Sequence, residues 1–309
     1  MASPTELRFS LFVPTTNPAT QLFETLASDL RDRTDGQLSL TLFPNEALGS
    51  TAEQYNLARS GKADLAYIMH GATPGRFPLT ELAALPFVTP DPIRGTAALM
   101  RVLPGHLGAE HPGVRVLFLA ANAPMAVHAV RPIASAADLA GLRVRSAGAV
   151  VAATLAALGA QPVNVMPLDV PAALTDGRID AAAMTFEGAM INRLAGVVSH
   201  SLELNVNTVT FGLVMNAQRH AALAPDLQMT VDAVLGAAAG YKLAAKLAEA
   251  VDEGRRYMRD GGVTIVQLSP RERDCVKSLL EPVSRAIIEE LETKGLAAEA
   301  VRSALMESA

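Results

Sequence analysis

The order of strand-like and helix-like segments limits the folds open to this chain more than any other feature. Residues 7–69 show patterns in the order strand, helix, strand, helix, strand, and a similar order returns over residues 114–186. Strands that alternate with helices are typical of α/β folds, and two such runs favour two similar lobes. The strands predicted from alternation or apolar content are 7–12, 37–43, 63–69, 114–120, 142–145, 162–165, 180–186 and 263–268.

Local signals mark where several helices begin. Asn17-Pro18 supplies an N-cap residue followed by a first-turn proline, and Ser50-x-x-Glu53 is a capping box. A second capping box, Ser269-x-x-Glu272, opens a C-terminal helix in which Pro282 predicts a kink. These signals fix helix starts more firmly than helix ends.

The chain becomes mostly helical after Phe211. One helical pattern begins near Pro225 and could run to Asp260, which is long for a helix of a globular protein. Gly236 and Gly240 leave open the alternative of two shorter helices.

Composition excludes some classes of function. Hydrophobic residues make up 50% and charged residues 18% of the 309 residues, which is typical of a globular protein. The net charge of -5 argues against a nucleic-acid partner, because binding to phosphates needs a basic surface. The single cysteine, Cys275, cannot form an internal disulfide and does not decide the compartment.

Signals for export and for membrane insertion are missing from the given sequence. Residues 1–6 lack a basic start and an apolar stretch, and no apolar run is long enough to span a bilayer. If the protein is exported, we expect that its signal peptide has been removed from this form.

The common catalytic and metal-binding motifs are also missing. The histidines include no pair at the i, i+4 spacing that places two imidazoles on one helix face, and the chain has no Gly-x-Ser-x-Gly, Gly-x-Gly-x-x-Gly or phosphate-binding Gly-Lys-Ser/Thr motif. We therefore predict no catalytic residue, no metal site and no cofactor, and we expect that the protein is not an enzyme. The histidines are His70, His106, His111, His128, His200 and His220.

Several segments resemble one family of transport proteins. Asp138-Leu139-Ala140-Gly141-Leu142-Arg143-Val144-Arg145, followed by residues 157–163, resembles the signature of DctP-type TRAP receptors. Residues 172–180 resemble the family's ALQ-x-G-x-x-D segment. Residues 35–49 resemble its GG-strand-FP-x-x-x-LG segment, although Asp35 replaces the first glycine. Residues 74–87 resemble one branch of the family, so the similarity covers most of the chain.

The resemblance implies a fold and a function. The fold would be two-lobed and periplasmic-binding-protein-like, with a ligand cleft between the lobes and a long C-terminal helix bracing both. We expect residues 1–122 and 211–250 to form lobe I, and residues 123–210 and 251–309 to form lobe II. The protein would be a periplasmic receptor that closes over a small organic acid anion and delivers it to the subunits of a TRAP-type membrane permease.

Two other functions remain open. An ABC-type receptor or a ligand-binding module of a sensor would share the fold without the Gly-Leu-x-x-Arg stretch. An enzyme on a similar scaffold should show a titratable pair in the cleft, and no convincing pair is visible in the sequence.

The resemblance also implies a carboxylate-binding residue. In the family, an arginine at the end of the Gly-Leu-Lys-x-Arg strand binds the ligand carboxylate, and Arg145 matches it. A guanidinium suits this role because its paired donors fit a carboxylate and its charge persists at any working pH. Arg143 matches a position that is usually lysine, and we interpret it as a surface charge.

Two departures from the family pattern bear on the ligand. Many members carry a further arginine in the strand that corresponds to residues 122–128, and none is present here. Met184 replaces a polar asparagine, and Thr185-Phe186-Glu187 resembles the Pro-Trp-Glu variant of another branch. We therefore predict an apolar or aromatic monocarboxylate as the ligand. His70, His128 or Arg76 could still supply a second positive charge.

The remaining candidates for ligand contact are chosen by position, and each of them also fits a role in core packing or local structure. The apolar candidates are Tyr67, Met184, Phe186, Phe211 and Met215, and the polar candidates are His70 and Asn216.

Overall fold

The structure is a computed structural model that describes residues 5–307. Residues 1–4 lie outside the described residues. The expectation that a signal peptide has been removed rests in part on them. The strands are β1 (Thr5–Leu11), β2 (Leu38–Phe43), β3 (Leu65–Met69), β4 (Val114–Ala121), β5 (Ala126–Ala129), β6 (Arg143–Ser146), β7 (Gln161–Asn164), β8 (Ala181–Met184), β9 (His200–Glu203), β10 (Thr210–Asn216) and β11 (Thr264–Gln267).

The α-helices surround these strands, and short 3-10 or π-helical turns lie in several of the connections. They are α1 (Pro18–Arg33), α2 (Gln54–Ser60), α3 (Pro92–Val102), α4 (Ala149–Ala157), α5 (Val170–Thr175), α6 (Phe186–Ile191), α7 (Ala217–Ala221), α8 (Pro225–Leu235), α9 (Ala237–Asp260), α10 (Pro270–Thr293) and α11 (Ala298–Met306).

The strands form two mixed sheets. Sheet I has the order β2-β1-β3-β10-β4, and sheet II has the order β11-β9-β5-β8-β6-β7. In sheet I, β1 is parallel to β2 and β3, whereas β10 is antiparallel to β3 and β4. In sheet II, β6 is parallel to β7 and β8, whereas β5 is antiparallel to β8 and β9. The predicted α/β fold with two lobes is confirmed.

Residue types explain where the first helices begin and end. The Asn17 side chain accepts a hydrogen bond from the backbone nitrogen of Ala19 at 2.8 Å, which caps α1. The Glu53 carboxylate accepts from the backbone nitrogen and hydroxyl of Ser50, as in the predicted capping box. Gly61 ends α2 with a φ of 75°, a left-handed conformation that suits glycine because it has no Cβ.

Two connecting segments, residues 122–125 and 204–209, carry the chain from one sheet to the other. They lie side by side, because the backbone nitrogen of Asn122 donates to Val209 O at 2.9 Å and that of Met125 donates to Asn207 O at 2.8 Å. The Thr208 hydroxyl adds a bond to Asn122 O at 2.6 Å. The junction between the sheets is therefore a short hydrogen-bonded ribbon.

Helix α9 packs against both halves of the molecule. It contacts α1, α3 and β4 beside sheet I and α6 beside sheet II. Glycines permit the close approaches: a Cβ at residue 240 would lie 2.9 Å from Phe118 Cβ, and one at residue 254 would lie 2.2 Å from Phe186 O. The predicted long helix that braces both lobes is confirmed in α9.

The C-terminal helices resolve the alternatives that the sequence left open. The pattern from Pro225 to Asp260 forms two helices that meet at Gly236, which has a φ of -82° and a ψ of -143°. The capping box of Ser269 and Glu272 is confirmed at the start of α10. Helix α10 continues through Pro282 as one element.

Several strands were missed or placed too long. The predicted strand 180–186 ends at Met184, because Thr185 caps a new helix by accepting from the backbone nitrogen of Gly188 at 3.1 Å. Strand β10 continues past Phe211, where we expected helix, and all of its residues are buried, so it shows no alternation. Strands β5 and β9 were not predicted, because neither Ala126–Ala129 nor His200–Glu203 shows an alternation of apolar and polar residues or a continuous apolar run.

Candidate functional site

A cavity of about 800 Å³, counting its open mouth, lies between the two sheets. Both sheets, the connecting segments and α9 contribute to its wall. A cleft between two lobes is a usual place for a small-molecule site. Its position also fits the rule that ligands bind beyond the carboxyl ends of strands in α/β sheets.

Arg145 supplies a positive charge at the wall of this cavity. It is the third residue of β6, and only 4% of its surface is exposed. Nε donates to Val165 O at 3.0 Å and Nη1 donates to Ala183 O at 2.9 Å. These bonds hold the guanidinium in place and leave Nη2 for a ligand.

The charge of Arg145 has no counter-charge in direct contact. Within residues 5–307, no carboxylate oxygen lies within 4.0 Å of its guanidinium. Burial lowers the pKa of Arg145 to about 10, so it remains charged at neutral pH. A buried cation without a partner is unfavourable by itself, and an anion in the cavity would compensate it.

Three aromatic rings from neighbouring strands form one wall. Phe12, just after β1, stacks on Tyr67 of β3 with ring centroids 5.3 Å apart and an interplanar angle of 6°. Phe211 of β10 lies 5.2 Å from Tyr67 and 6.1 Å from Phe12. Met184 and Ile191 face the cavity from sheet II and α6. This wall suits a flat apolar group.

A buried carboxylate also lines the cavity. Glu187 is 4% exposed; its Oε1 accepts from Asn17 Nδ2 at 3.1 Å and its Oε2 accepts from the Thr185 hydroxyl at 3.2 Å. Burial raises the pKa of Glu187, whereas hydrogen bonds from Thr185, Asn122 and Asn17 oppose the rise. Asn17 precedes α1 on the sheet I side and Glu187 belongs to α6 on the sheet II side, so their bond joins the two sides.

Four of the predicted ligand contacts meet at the cavity and three do not. The four that line it are Arg145, Tyr67, Met184 and Phe211. His70 lies outside the lining, with Nε2 3.3 Å from His111 Nε2, and burial lowers its pKa to about 3. Asn216 caps α7 and donates to Ala58 O at 2.9 Å.

Phe186 lies behind the cavity rather than in its wall. Its ring packs 5.2 Å from the ring of His128 and 5.1 Å from the guanidinium of Arg255. Met215, the further apolar candidate, is fully buried in β10 and also lies outside the lining.

Sequence reasoning missed Phe12 and Glu187. Phe12 was recognisable as the last residue of a predicted strand, because the carboxyl ends of strands are where ligands bind. Glu187 had a weaker signal, an acidic residue just after the motif position of Met184, and the predicted strand ended before it.

A family model decides the classification. The model of bacterial extracellular solute-binding protein, family 7, named DctP, matches residues 9–291. The chain belongs to this family. This family 7 protein is therefore an extracytoplasmic solute receptor of the TRAP type, as the resemblance predicted.

Individual relatives agree with the family. The family 7 protein is 26% identical to a solute-binding protein of Roseobacter denitrificans, over 85% of this chain and 83% of the relative. It is 26% identical to the 2,3-diketo-L-gulonate-binding periplasmic protein of Escherichia coli, over 77% of this chain and 73% of the relative.

A solved structure is similar over nearly the whole length. It is a TRAP solute-binding protein of Rhodoferax ferrireducens in complex with copurified benzoate. The identity is 25%, the TM-score is 0.94, and the alignment covers 98% of this chain and 96% of the other.

Other charged groups of the family 7 protein lie away from its cavity. His128 bonds through Nδ1 to the Ser201 hydroxyl at 2.8 Å and through Nε2 to Met184 O at 3.2 Å, and burial lowers its pKa to about 4. Arg76 lies over the ring of Tyr55, 4.8 Å from its centroid. Arg143 bonds to Asp180 at 2.7 Å, with 42% of its side chain exposed. Arg145 is thus the one cationic side chain among the described residues that line the cavity.

The described part of the family 7 protein offers no metal cluster and no membrane span. Residues 5–307 contain no group of three or more His, Cys, Asp or Glu side chains placed to hold a metal ion. Across the same residues, every helix is too short or too polar to cross a membrane.

Proposed function

We propose that this protein binds an aromatic or otherwise apolar monocarboxylate, with the carboxylate on Arg145 and the apolar body against Phe12, Tyr67 and Phe211. The observation that carries this proposal is the buried guanidinium of Arg145, which faces the cavity without a counter-charge. A carboxylate fits it because Nη2 is held in place by the bonds of Nε and Nη1 to the backbone.

The cavity disfavours a second carboxylate. Arg145 is the one cation among the described lining residues, and Glu187 adds a buried acidic group. A second carboxylate would be buried without a cationic partner, which is strongly unfavourable. Dicarboxylates should therefore bind worse than matched monocarboxylates.

The relatives point to two kinds of ligand. The Rhodoferax ferrireducens structure contains benzoate, and the Escherichia coli relative is named for 2,3-diketo-L-gulonate. A sugar acid needs a polar partner for each hydroxyl, because an unpartnered buried hydroxyl costs free energy. The aromatic wall supplies none except the Tyr67 hydroxyl, so this wall favours a flat apolar body like that of benzoate.

The proposal includes the lobe boundaries, the location and the delivery of the ligand. Lobe I would comprise residues 1–122 and 211–250, and lobe II residues 123–210 and 251–309. Sheet membership supports this division, because sheet I contains β1–β4 and β10 and sheet II contains β5–β9 and β11. The receptor would act in the periplasm, close over its ligand and deliver it to the membrane subunits of a TRAP-type permease.

Replacing Arg145 by alanine tests the site. Isothermal titration with benzoate should show a loss of about 2–5 kcal/mol of binding free energy, because a desolvated charge-assisted contact disappears. Arg143→Ala is the matched control: it removes an arginine two residues earlier in β6 that pairs with Asp180 at 2.7 Å. Benzoate affinity that is equal in wild type and Arg145→Ala would overturn the site.

A ligand screen tests the class of ligand. Thermal unfolding should shift more with benzoate or phenylacetate than with succinate, malate or gluconate, because a ligand that binds only the folded state stabilises it by mass action. A larger shift with succinate or malate than with every apolar monocarboxylate would contradict the proposal.

A further inference from the structure

Glu187 is the one acidic side chain among the described lining residues. Binding of a ligand carboxylate by Arg145 does not require it. A buried negative charge repels an anionic ligand, so its presence in this cavity needs a reason. Within residues 5–307 it does not pair with Arg145, since no carboxylate lies within 4.0 Å of that guanidinium. The cavity thus has one cationic and one acidic group that stay apart.

The two groups are held by different halves of the molecule. The Arg145 guanidinium is fixed by the backbone carbonyls of Val165 and Ala183, which lie next to β7 and in β8 of sheet II. The Glu187 carboxylate is turned towards Asn17 and Asn122, which lie at the start of α1 and just after β4 on the sheet I side. A ligand whose carboxylate lies on Arg145 would therefore meet Glu187 with another part of its body.

Glu187 has acceptor capacity left for a ligand. A carboxylate accepts at about four positions; Asn17 and Thr185 occupy two of them at 3.1 and 3.2 Å, and Asn122 favours the charged form of Glu187. The Thr185 hydroxyl donates to Glu187 and accepts from the backbone nitrogen of Gly188 at 3.1 Å, so its remaining lone pair is a neutral acceptor and weaker than the carboxylate. A remaining position on the carboxylate suits a hydroxyl or amino group, and a hydrogen bond to a charged acceptor is stronger than one to a neutral group.

We propose that Glu187 is a specificity-determining residue that selects acids whose apolar body carries a hydroxyl or amino donor away from the carboxylate. This inference rests on the proposed function, since it takes Arg145 as the carboxylate site. If the ligand lacks a donor, the buried carboxylate of Glu187 stays partly unpartnered. A ligand donor in the right place completes its hydrogen bonds and bridges the two sides of the cavity.

Titration calorimetry with benzoate and its three monohydroxy isomers tests the proposal. In the wild type, one hydroxybenzoate should bind at least about tenfold tighter than benzoate. In Glu187→Gln this preference should fall below about threefold, while benzoate itself binds as tightly or tighter because a negative charge has left the anion site. Glu203→Gln is the matched control, since Glu203 is equally buried but lies outside the cavity and pairs with Arg255 at 2.7 Å; it should keep the preference.

The outcomes separate this inference from the proposed function. Wild-type protein that binds benzoate and all three isomers with equal affinity would overturn the role of Glu187 and leave the monocarboxylate site intact. An equal loss of affinity for all four acids in Glu187→Gln would mean that Glu187 acts only through its hydrogen bond with Asn17 across the cavity. It would overturn the proposal that Glu187 determines specificity. Wild-type protein that binds none of the four acids would overturn both the proposed function and the inference.

Discussion

Gly254 is the position where a single methyl group should disturb the structure most directly. A Cβ at residue 254 of α9 would lie 2.2 Å from Phe186 O and 2.7 Å from the backbone nitrogen of Glu187. Ordinary contacts of such a carbon are 3.4–4 Å long, so α9 must move away from α6 by roughly 1 Å. The obstacle is backbone, and it cannot turn aside as a side chain can.

The size of the effect follows from two opposing contributions. Overpacking costs about 1–3 kcal/mol, and the rigid obstacle places Gly254→Ala at the upper end. Alanine gains about 1 kcal/mol over glycine in helix propensity, so the net loss in the free energy of unfolding should be about 2 kcal/mol. In a protein of this size that loss lowers the unfolding temperature by roughly 3 °C.

Calorimetric unfolding of ligand-free protein measures the change. Gly196→Ala is the control, because a Cβ there meets no atom within 4 Å and the backbone is outside the left-handed region. Gly240→Ala should have an intermediate effect, since its nearest neighbour is the side chain of Phe118 at 2.9 Å. An unfolding temperature of Gly254→Ala equal to or above that of the wild type, with Gly196→Ala neutral, would refute the reasoning about close approach.

Three further changes test other parts of the structure. Ser269→Ala removes the capping box of α10 and should cost about 1 kcal/mol in urea unfolding, whereas an unchanged midpoint would contradict the cap. Because the folded protein keeps His128 neutral with a pKa of about 4 while the unfolded chain is protonated below about 6.5, stability is lost as the pH falls through this window. Wild type should therefore lose about 2 kcal/mol more than His128→Gln between pH 7 and pH 5, and parallel pH profiles would refute this. Met184→Asn should weaken benzoate binding about tenfold in calorimetry because it places an amide in the apolar wall, with Met184→Leu as the control that keeps affinity.

The sequence predicted the parts of the fold that depend on local signals. Most strands with alternation or a continuous apolar run were found, and the capping residues Asn17, Ser50 and Ser269 act where they were expected. Strand β10 escaped because it is buried on both faces and its pairing partners, β3 and β4, are distant in sequence. The antiparallel arrangement of β10 is decided by tertiary contacts, which periodicity does not report.

The candidate site also contains residues that the sequence predicted and residues that it did not. Arg145, Tyr67, Met184 and Phe211 were predicted and line the cavity, because motif position and strand ends place them there. Phe186 was expected at the end of a strand, but β8 ends two residues earlier than predicted and Phe186 is the first residue of a helix. Glu187 could not be assigned from sequence, since its partner Asn17 lies 170 residues away.

The paired connecting segments restrict how the two sheets can move. Residues 122–125 and 204–209 form a two-stranded ribbon, which bends readily but resists twisting and sliding, and α9 adds a third support. Opening and closing should then reduce to one angle. Because Asn122, Met125 and Val209 belong both to the ribbon and to the cavity wall, we expect the length of a bound acid to change that angle. A membrane partner that recognises a single angle would in effect measure the ligand without touching it, and acids that bind but are too long or too short would not be passed on.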